Sequence, residues 1–131
     1  MQVHVTSRAR GQMLAAAAAA HPFEACGILL GDGVRITDVR KAANVHLTPE
    51  THFEIDPQTL IDAHRAARAG GLQVIGYYHS HPHGPPAPSA TDRACAAGDG
   101  RIWAIIASDE VRFWRDAPDG FAALSYTVSD T

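Results

Sequence analysis

The chain has few cysteines and no excess of basic residues, and both shortages narrow the kinds of protein it can be. Its 131 residues include two cysteines, Cys26 and Cys95, which are too few for a disulfide framework and are expected to stay reduced. The net charge of -3 and the isoelectric point near 6.2 argue against a nucleic-acid partner, which would need a basic stripe. No apolar run approaches the roughly 18 residues that span a bilayer. We therefore expect a cytoplasmic protein with neither a nucleic-acid nor a membrane partner.

The first twenty residues partly imitate a leader peptide. Arg8 and Arg10 are followed by Met13, Leu14 and an alanine run at 15–20, as in the charged and apolar regions of a signal peptide. Alanine is only weakly apolar, however, and it has the highest helix propensity of all residues. Residues 3–5, before the arginines, are typical of a strand. We therefore expect an amphipathic helix over residues 8–20.

The length fits one domain, residues 1–131, which can bury about two thirds of its unfolded surface. Alternating apolar positions predict strands, and Asp56-Pro57 is typical of a helix start. Residues 31–33 predict a hairpin turn. The fold class is therefore α/β (α+β), with a mixed sheet packed with helices. The expected strands are 2–5, 26–31, 35–43, 74–79, 102–107, 111–115 and 121–128, and the expected helices are 8–20, 57–69 and about 89–97.

Two imidazoles, a hydroxyl and a carboxylate fall within fourteen residues, at His79, His81, Ser89 and Asp92. On a strand, side chains alternate between faces, so the two histidines point the same way, about 6.6 Å apart along the chain. Pro82 ends the strand, and the Pro/Gly-rich loop after it turns the chain back. Ser89 and Asp92 fit the first and fourth positions of a helix start. Two histidines and an aspartate leave one position of a tetrahedral zinc open, as in catalytic zinc sites.

Each half of this pattern has a simpler interpretation when taken alone. A Ser-x-x-Asp sequence is a common helix start, and a His-x-His pair at a loop rim is often only solvated. The two pairs at a set separation, with helix-start residues between them, are far more specific. The combined pattern therefore predicts a metal site.

The run His79-Ser80-His81-Pro82, followed by Ser89 and Asp92, is similar to the signature of the JAMM (MPN+) metallopeptidase family. That family also carries an upstream glutamate before a small-residue apolar strand, and Glu24 in the segment 23–31 matches it. The resemblance covers about residues 8–108. It implies the MPN fold, with its curved mixed sheet, and a zinc peptidase that cuts peptide or isopeptide bonds at the C-terminal tail of ubiquitin-fold proteins. It assigns His79, His81 and Asp92 as zinc ligands, Glu24 as general acid/base and Ser89 as transition-state stabiliser.

Elementary chemistry agrees with these roles. Zinc lowers the pKa of a bound water to about 7, and a nearby carboxylate can take its proton and pass it to the leaving amine. Glu24 lies between Phe23 and Ala25, so partial burial is expected to raise its pKa. Without the family match, a glutamate ending a solvent-facing loop is the simpler interpretation. Ser89 could donate to a developing oxyanion, and the same hydroxyl could cap the helix.

Other polar residues near the motif have weaker claims. His83 continues the alternation after His81, but Pro82 and Gly84 break the strand geometry, so it is expected outside the ligand set. Cys26 could approach the metal, although a buried small residue is the better interpretation. The remaining candidates are expected to be core or surface residues, namely His64 on an apolar helix face with Leu60, Ile61 and Ala67, the aromatics Trp103 and Trp114, and the unassigned His4, His21, His46 and His52.

Three functional classes are compatible with parts of the sequence, namely a JAMM-like peptidase, a zinc deaminase and a non-catalytic scaffold. The zinc deaminase is disfavoured because it needs His-x-Glu followed by Pro-Cys-x-x-Cys, and Cys26 and Cys95 are isolated. A non-catalytic MPN-type scaffold is weaker than a peptidase, since all the mapped residues are present. No long polar insertion separates Glu24 from His79, which favours a processing enzyme for a sulfur-carrier protein over a deubiquitinase-like isopeptidase. We expect its partner to end in Gly-Gly and to lie flat along a sheet edge.

Overall fold

The computed structural model describes residues 1–130. Its elements follow the predicted order, and most of their ends lie within two residues of the predicted ones. The three helices are α1 (Ser7–Ala20), α2 (Pro57–Arg68) and α3 (Ala90–Cys95). The seven strands are β1 (Gln2–Thr6), β2 (Cys26–Asp32), β3 (Arg35–Ala42), β4 (Gln73–Ser80), β5 (Ile102–Ala107), β6 (Glu110–Ala117) and β7 (Gly120–Ser129).

The strands form one mixed sheet that closes into a barrel in the order β1-β3-β2-β4-β5-β6-β7. The pairs β1–β3, β1–β7 and β4–β5 are parallel, and the other pairs are antiparallel. The predicted mixed, curved sheet is thus confirmed. Each of the seven described strands has two neighbours. The β1–β3 pairing covers only Arg35 and Ile36 of β3, so the sheet-edge approach expected for a substrate tail stays a prediction.

Helix α1 packs its small-residue face on the barrel. Thr6 caps its start, because the Thr6 hydroxyl accepts the amide hydrogen of Ala9 at 3.1 Å. Ala9, Met13 and Ala16 recur at helical spacing and are buried in the main core. The helix predicted from the alanine run is confirmed, and its buried face joins the core residues of the strands, including Val3, Val5, Leu29, Ile36, Tyr78, Ile106 and Phe113.

No helix within residues 1–130 is long and apolar enough to cross a membrane.

Two local predictions differ from the structure. The hairpin turn falls at residues 33–34, because the β2–β3 pairing shifts by one residue after Leu30 and leaves Asp32 paired with Arg35. Gly33 takes a positive φ of 61° there, which glycine adopts without strain. On α2, Ile61 was expected on the apolar face but is 47% exposed, and Ala63 is the buried residue instead.

Candidate active site and metal centre

Strand β4 carries the first histidine of the motif to one end of the barrel. His79 is completely buried near the end of β4, and His81 follows the strand, where its amide donates to the Ile106 carbonyl at 2.8 Å. Ser80 points to the other side, because its hydroxyl accepts the amide hydrogen of Ala25 at 2.8 Å. The Nε2 atoms of His79 and His81 lie 3.1 Å apart. The predicted alternation is therefore confirmed, and it places both imidazoles at one point.

The loop after the histidines is held against the barrel by two bonds. The indole Nε1 of Trp114 donates to the Pro86 carbonyl at 3.2 Å. The Nδ1 atom of His81 lies 2.8 Å from the Pro85 carbonyl. A carbonyl oxygen can only accept, so this contact puts the His81 proton on Nδ1 and leaves the Nε2 lone pair free for a metal.

Helix α3 brings in the carboxylate through a complete capping box. The Ser89 hydroxyl accepts the Asp92 amide hydrogen at 3.0 Å, and the Asp92 carboxylate accepts the Ser89 amide hydrogen at 2.9 Å. The same carboxylate is buried, and its Oδ1 and Oδ2 atoms each lie 3.1 Å from one Nε2 atom, that of His79 and that of His81. The helix-start chemistry predicted for this segment thus also aims Asp92 at the histidines.

The ligand atoms of His79, His81 and Asp92 all lie within 4.8 Å of one another, and all three residues are buried. When both Nε2 atoms present lone pairs to each other and to the carboxylate, they repel one another unless a cation, which is either a metal ion or a proton, lies between them. The other nitrogen of His79, Nδ1, is also buried and has no hydrogen-bond partner within residues 1–130. Two nitrogen donors and one carboxylate form a set that fits a divalent metal with an open coordination position.

Burial and the three mutual contacts shift the pKa of each ligand. Burial lowers the pKa of His79 and so favours its neutral form, which is the form that binds metals. For Asp92, burial acts to raise the pKa, but the hydrogen bonds with His79 and His81 outweigh it and hold the pKa far below its ordinary value. Burial opposes protonation of His81, yet the contacts with Asp92 and Pro85 raise its pKa. Asp92 is therefore ionised at neutral pH.

Glu24 lies just before β2 and reaches the same site from another part of the chain. It is only 6% exposed, so the alternative of a solvent-facing loop residue does not hold. Its amide donates to the Pro49 carbonyl at 2.7 Å, and its carbonyl accepts from the Asn44 side chain at 3.0 Å. Burial raises the pKa of Glu24 to about 7, against a lowering by His81 and with a further rise from Asp92. A carboxyl group with this pKa can both accept and donate a proton near neutral pH.

Glu24 and Asp92 line one cavity of about 320 Å³. Polar residues of the segment 46–54 and the first turns of α3 form part of its wall. The remaining wall consists of apolar and aromatic side chains, which are Phe53, Ile55, Leu60, Tyr77 and Trp103. A cavity that combines carboxylates and histidines with apolar and aromatic side chains has the character of a substrate-binding site.

Ser89 holds the position expected of a helix cap, and the residue is exposed. Its oxygen accepts from the Asp92 amide, which uses a lone pair and leaves the hydroxyl hydrogen for donation. The two uses proposed from the sequence, capping and donation to an oxyanion, are therefore compatible.

Two aromatic residues that hold His79 were not recognised as site residues from the sequence. Phe53 stacks on the His79 ring with centroids 4.3 Å apart and planes inclined by 16°, and the Trp103 ring meets it edge-on at 5.7 Å. Trp103 was expected to be a core or sheet-face aromatic, which it is, at 6% exposure. No spacing rule connects residue 53 with residue 79, so only the assembled fold reveals the contact.

The remaining candidates lie outside the metal cluster of the described residues. His83 is exposed, and its ring contacts His21 at a centroid distance of 6.0 Å. Cys26 is buried with its Sγ atom 3.8 Å from the Ala42 carbonyl, and burial raises the pKa of its thiol to about 12. No partner was predicted for His46 or His52, and their rings stack at a centroid distance of 4.6 Å in the loop beside the cavity.

A protein-family model and two relatives each match more than half of this chain. The family model of prokaryotic homologs of the JAB domain matches residues 6–117. The chain is 37% identical over 90 residues to a desampylase of Haloferax volcanii, a match that covers 67% of this chain and 65% of the relative. It is 38% identical over 71 residues to a probable TtuB-protein conjugate cleaving protease of Thermus thermophilus, covering 54% of this chain and 47% of the relative. The chain thus spans less than two thirds of the length of either relative.

Solved structures agree with the fold. A protein of Desulfitobacterium hafniense, solved in solution, superposes with a TM-score of 0.86 at 29% identity and covers 99% of this chain and 94% of its own. A JAB1/MPN domain protein of Archaeoglobus fulgidus superposes with a TM-score of 0.59 over 97% of both chains, and at 18% identity it supports the fold alone. The match over residues 6–117 shows that this chain belongs to the prokaryotic JAB branch of the JAMM/MPN+ family.

Proposed function

We propose that the chain is a zinc-dependent peptidase that hydrolyses a peptide or isopeptide bond directly after the C-terminal Gly-Gly of a ubiquitin-fold protein, with a small sulfur carrier as its substrate. One observation carries the proposal. The buried donors of His79, His81 and Asp92 converge, and Glu24, with its raised pKa, lines the same cavity as Asp92. Ligands and a proton-transfer group at one cavity are what metal-assisted hydrolysis requires.

His79, His81 and Asp92 would hold the zinc through the two Nε2 atoms and the carboxylate. When bound, zinc supplies a Lewis acid for the scissile carbonyl and lowers the pKa of a coordinated water to about 7. The chain orients these ligands before any ion binds. The Pro85 carbonyl fixes the tautomer of His81, the capping box fixes Asp92, and Phe53 and Trp103 fix the His79 ring.

Glu24 acts as the general acid/base. Its carboxylate takes a proton from the attacking water and then passes it to the nitrogen of the leaving group. Because burial raises its pKa to about 7, both forms of the side chain are populated near neutral pH. The two halves of the proton transfer can therefore use one residue.

Ser89 stabilises the charge that develops on the carbonyl oxygen. Its hydroxyl hydrogen remains free to donate while its oxygen caps α3. The position is rigid, because the capping box with Asp92 ties Ser89 to the ligand itself.

The relatives support the substrate class. One is named a desampylase and another a probable protease that cleaves TtuB–protein conjugates, so both names describe the release of a small protein. To be cut, the tail must reach the cavity lined by Glu24 and Asp92, whose wall includes His46 and His52. Glycines without a Cβ suit a narrow approach.

Mass spectrometry of cleavage products tests the proposal. The zinc-loaded protein is incubated with a ubiquitin-fold carrier whose Gly-Gly end bears either a peptide extension or a lysine-linked protein. We expect one cut, after the second glycine, in at least one of these substrates, and none after the zinc is chelated. The matched control is the same carrier with the second glycine changed to valine, whose cleavage should be sharply slower. Equal cutting of the valine form, or cutting of unfolded casein-like chains, would make this a general metallopeptidase. Binding without cutting would instead favour the scaffold alternative.

A further inference from the structure

Asn44 joins the general base to the loop beside the cavity through four hydrogen bonds. Its Nδ2 atom donates to the Glu24 carbonyl and to the His52 carbonyl, each at 3.0 Å. Its Oδ1 atom accepts from the His46 amide at 3.1 Å and from the Glu54 amide at 3.0 Å. Three of these bonds hold the loop of residues 45–54, at His46, His52 and Glu54, and the fourth reaches Glu24.

The orientation of the Asn44 amide is fixed by its surroundings. A side-chain amide offers two N–H donors and two acceptor lone pairs, and all four are used. Two carbonyls lie near Nδ2 and two amide hydrogens near Oδ1, so the reversed orientation would set carbonyl against oxygen and N–H against N–H. Asparagine supplies the two donors and two acceptor lone pairs that these four backbone groups require, and no other side chain of its size does so.

The backbone of Glu24 depends on the loop 45–54, unlike the residue that follows it. The Glu24 amide donates to Pro49 of the loop at 2.7 Å, and the Glu24 carbonyl is held by Asn44 at the start of the loop. The next amide, that of Ala25, donates instead to the Ser80 hydroxyl on β4. The backbone hydrogen bonds therefore change partner at Glu24, from the loop 45–54 to the barrel.

We propose that Asn44 is a positioning residue for the hydrolysis, which sets the place of the Glu24 carboxylate by clamping the Glu24 backbone to the closed loop 45–54. The inference rests on the proposed function, in which Glu24 transfers the proton. A base must lie within hydrogen-bond reach of the proton it moves, and a displacement of about 1 Å costs on the order of 10²-fold in rate. None of the metal ligands bonds to Asn44, so its loss displaces the base and leaves the zinc site in place.

Two substitutions test this. Asn44→Ala removes all four bonds. Asn44→Asp keeps the size and the Oδ1 contacts with His46 and Glu54 but places an oxygen against the two carbonyls. The matched control is Thr48→Val, which removes an exposed hydroxyl that links the two histidine rings inside the same loop and makes no bond to Glu24. Each variant is compared with wild type for zinc content, kcat, KM and the hydrogen-exchange rate of the Glu24 amide measured by NMR.

We expect both Asn44 variants to keep one zinc per chain and a KM within about threefold of wild type, with kcat lowered about 10²-fold. The Glu24 amide should exchange at least tenfold faster, because Pro49 no longer stays within reach of it. Thr48→Val should leave kcat and this exchange rate near the wild-type values. Unchanged kcat in both Asn44 variants, a lower kcat with the Glu24 amide still protected, or an effect on KM alone would each overturn the proposal. If the wild-type protein cuts no substrate, the proposed function fails, while the Glu24 exchange rate still decides whether Asn44 holds this backbone.

Discussion

Two buried carboxylates lie at one cavity, and their surroundings push their pKa values in opposite directions. Asp92 is 4% exposed and is hydrogen-bonded to two imidazoles and to the Ser89 amide, so its pKa falls far below the ordinary value. Glu24 is 6% exposed, and burial raises its pKa to about 7. Two acids of similar chemistry are thereby divided into a permanently charged ligand and a proton carrier. Burial alone does not decide the role of a carboxylate, because its partners determine the sign of the shift.

The two groups also differ in how the fold holds them. Asp92 is fixed by a capping box closed over three residues of its own helix start. Glu24 is fixed through its backbone by a loop more than twenty residues away in the sequence, and its carboxylate faces the cavity. Local bonds hold the ligand rigidly, whereas the proton carrier depends on a distant segment. The following substitutions test this division.

The largest expected effect is the loss of zinc binding when one of the three ligands is replaced. His79→Ala, His81→Ala and Asp92→Ala should each abolish stoichiometric zinc binding, because the three donors converge within 4.8 Å and none has a substitute. Metal analysis of the dialysed proteins measures this. His83→Ala is the control and should keep one zinc, since its ring lies against His21 outside the cluster. Full zinc in His81→Ala together with loss in His83→Ala would show that the ligand assignment is wrong.

Substitution of Glu24 should lower turnover without loss of zinc, unlike substitution of a metal ligand. Glu24→Gln keeps the shape of the side chain, so we expect one zinc and an intact fold, with turnover lowered by about 10⁴-fold, the upper end of what a general acid/base contributes. Steady-state kinetics beside metal analysis measures both. Glu50→Gln, at an exposed position before the loop's second histidine, is the matched control and should turn over normally. Zinc lost together with activity would make Glu24 a ligand, and unchanged turnover would remove its catalytic role.

The same division explains what the sequence could and could not predict. His79, His81, Ser89 and Asp92 lie within fourteen residues, and strand alternation and helix capping are local rules, so their convergence was predictable and the structure has it. The place of Glu24 followed only from the family resemblance. Its partner Asn44 carried no local signature, because the bond joins residues twenty positions apart, at the two ends of the β2–β3 hairpin.

Long-range closure limited the prediction of the fold in the same way. Strand positions followed from alternation and turn residues, but the parallel pairing of β1 with β7 joins opposite ends of the chain and has no local pattern. The one-residue shift after Leu30, which moved the hairpin turn, depends on packing between strands rather than on the turn sequence.

Ser89 caps the helix that carries the ligand Asp92, and we also assign it to the chemical step. Its substitution should therefore have an intermediate effect. Ser89→Ala removes the hydroxyl that we assign to oxyanion stabilisation, and turnover should fall by about 10²–10³-fold. It also removes the cap of α3, which should lower the free energy of unfolding by about 1 kcal/mol. Ser89→Thr keeps a hydroxyl and should restore much of both quantities. A loss of stability without a loss of turnover would leave Ser89 as a cap alone.

The smallest expected effect is on the stability of the metal-free protein, and it tests the pKa of Glu24 directly. The folded protein binds this proton with a pKa of about 7, against the ordinary glutamate pKa of 4.5 in an unfolded chain. Between these values the folded state holds more protons than the unfolded state, so the contribution of Glu24 to stability is lost as pH rises towards 7. The difference between the metal-free wild type and Glu24→Gln should therefore be smaller near pH 5 than at pH 8, where the wild type should be less stable by about 1–2 kcal/mol, after allowance for water that reaches the cavity. Urea unfolding in the presence of a chelator measures the difference. Glu50→Gln, whose side chain lies in solvent, should stay within about 0.5 kcal/mol of wild type at both pH values. If the difference between wild type and Glu24→Gln is the same at pH 5 and pH 8, burial does not hold a proton on Glu24, and the contrast with Asp92 must come from the bound metal alone.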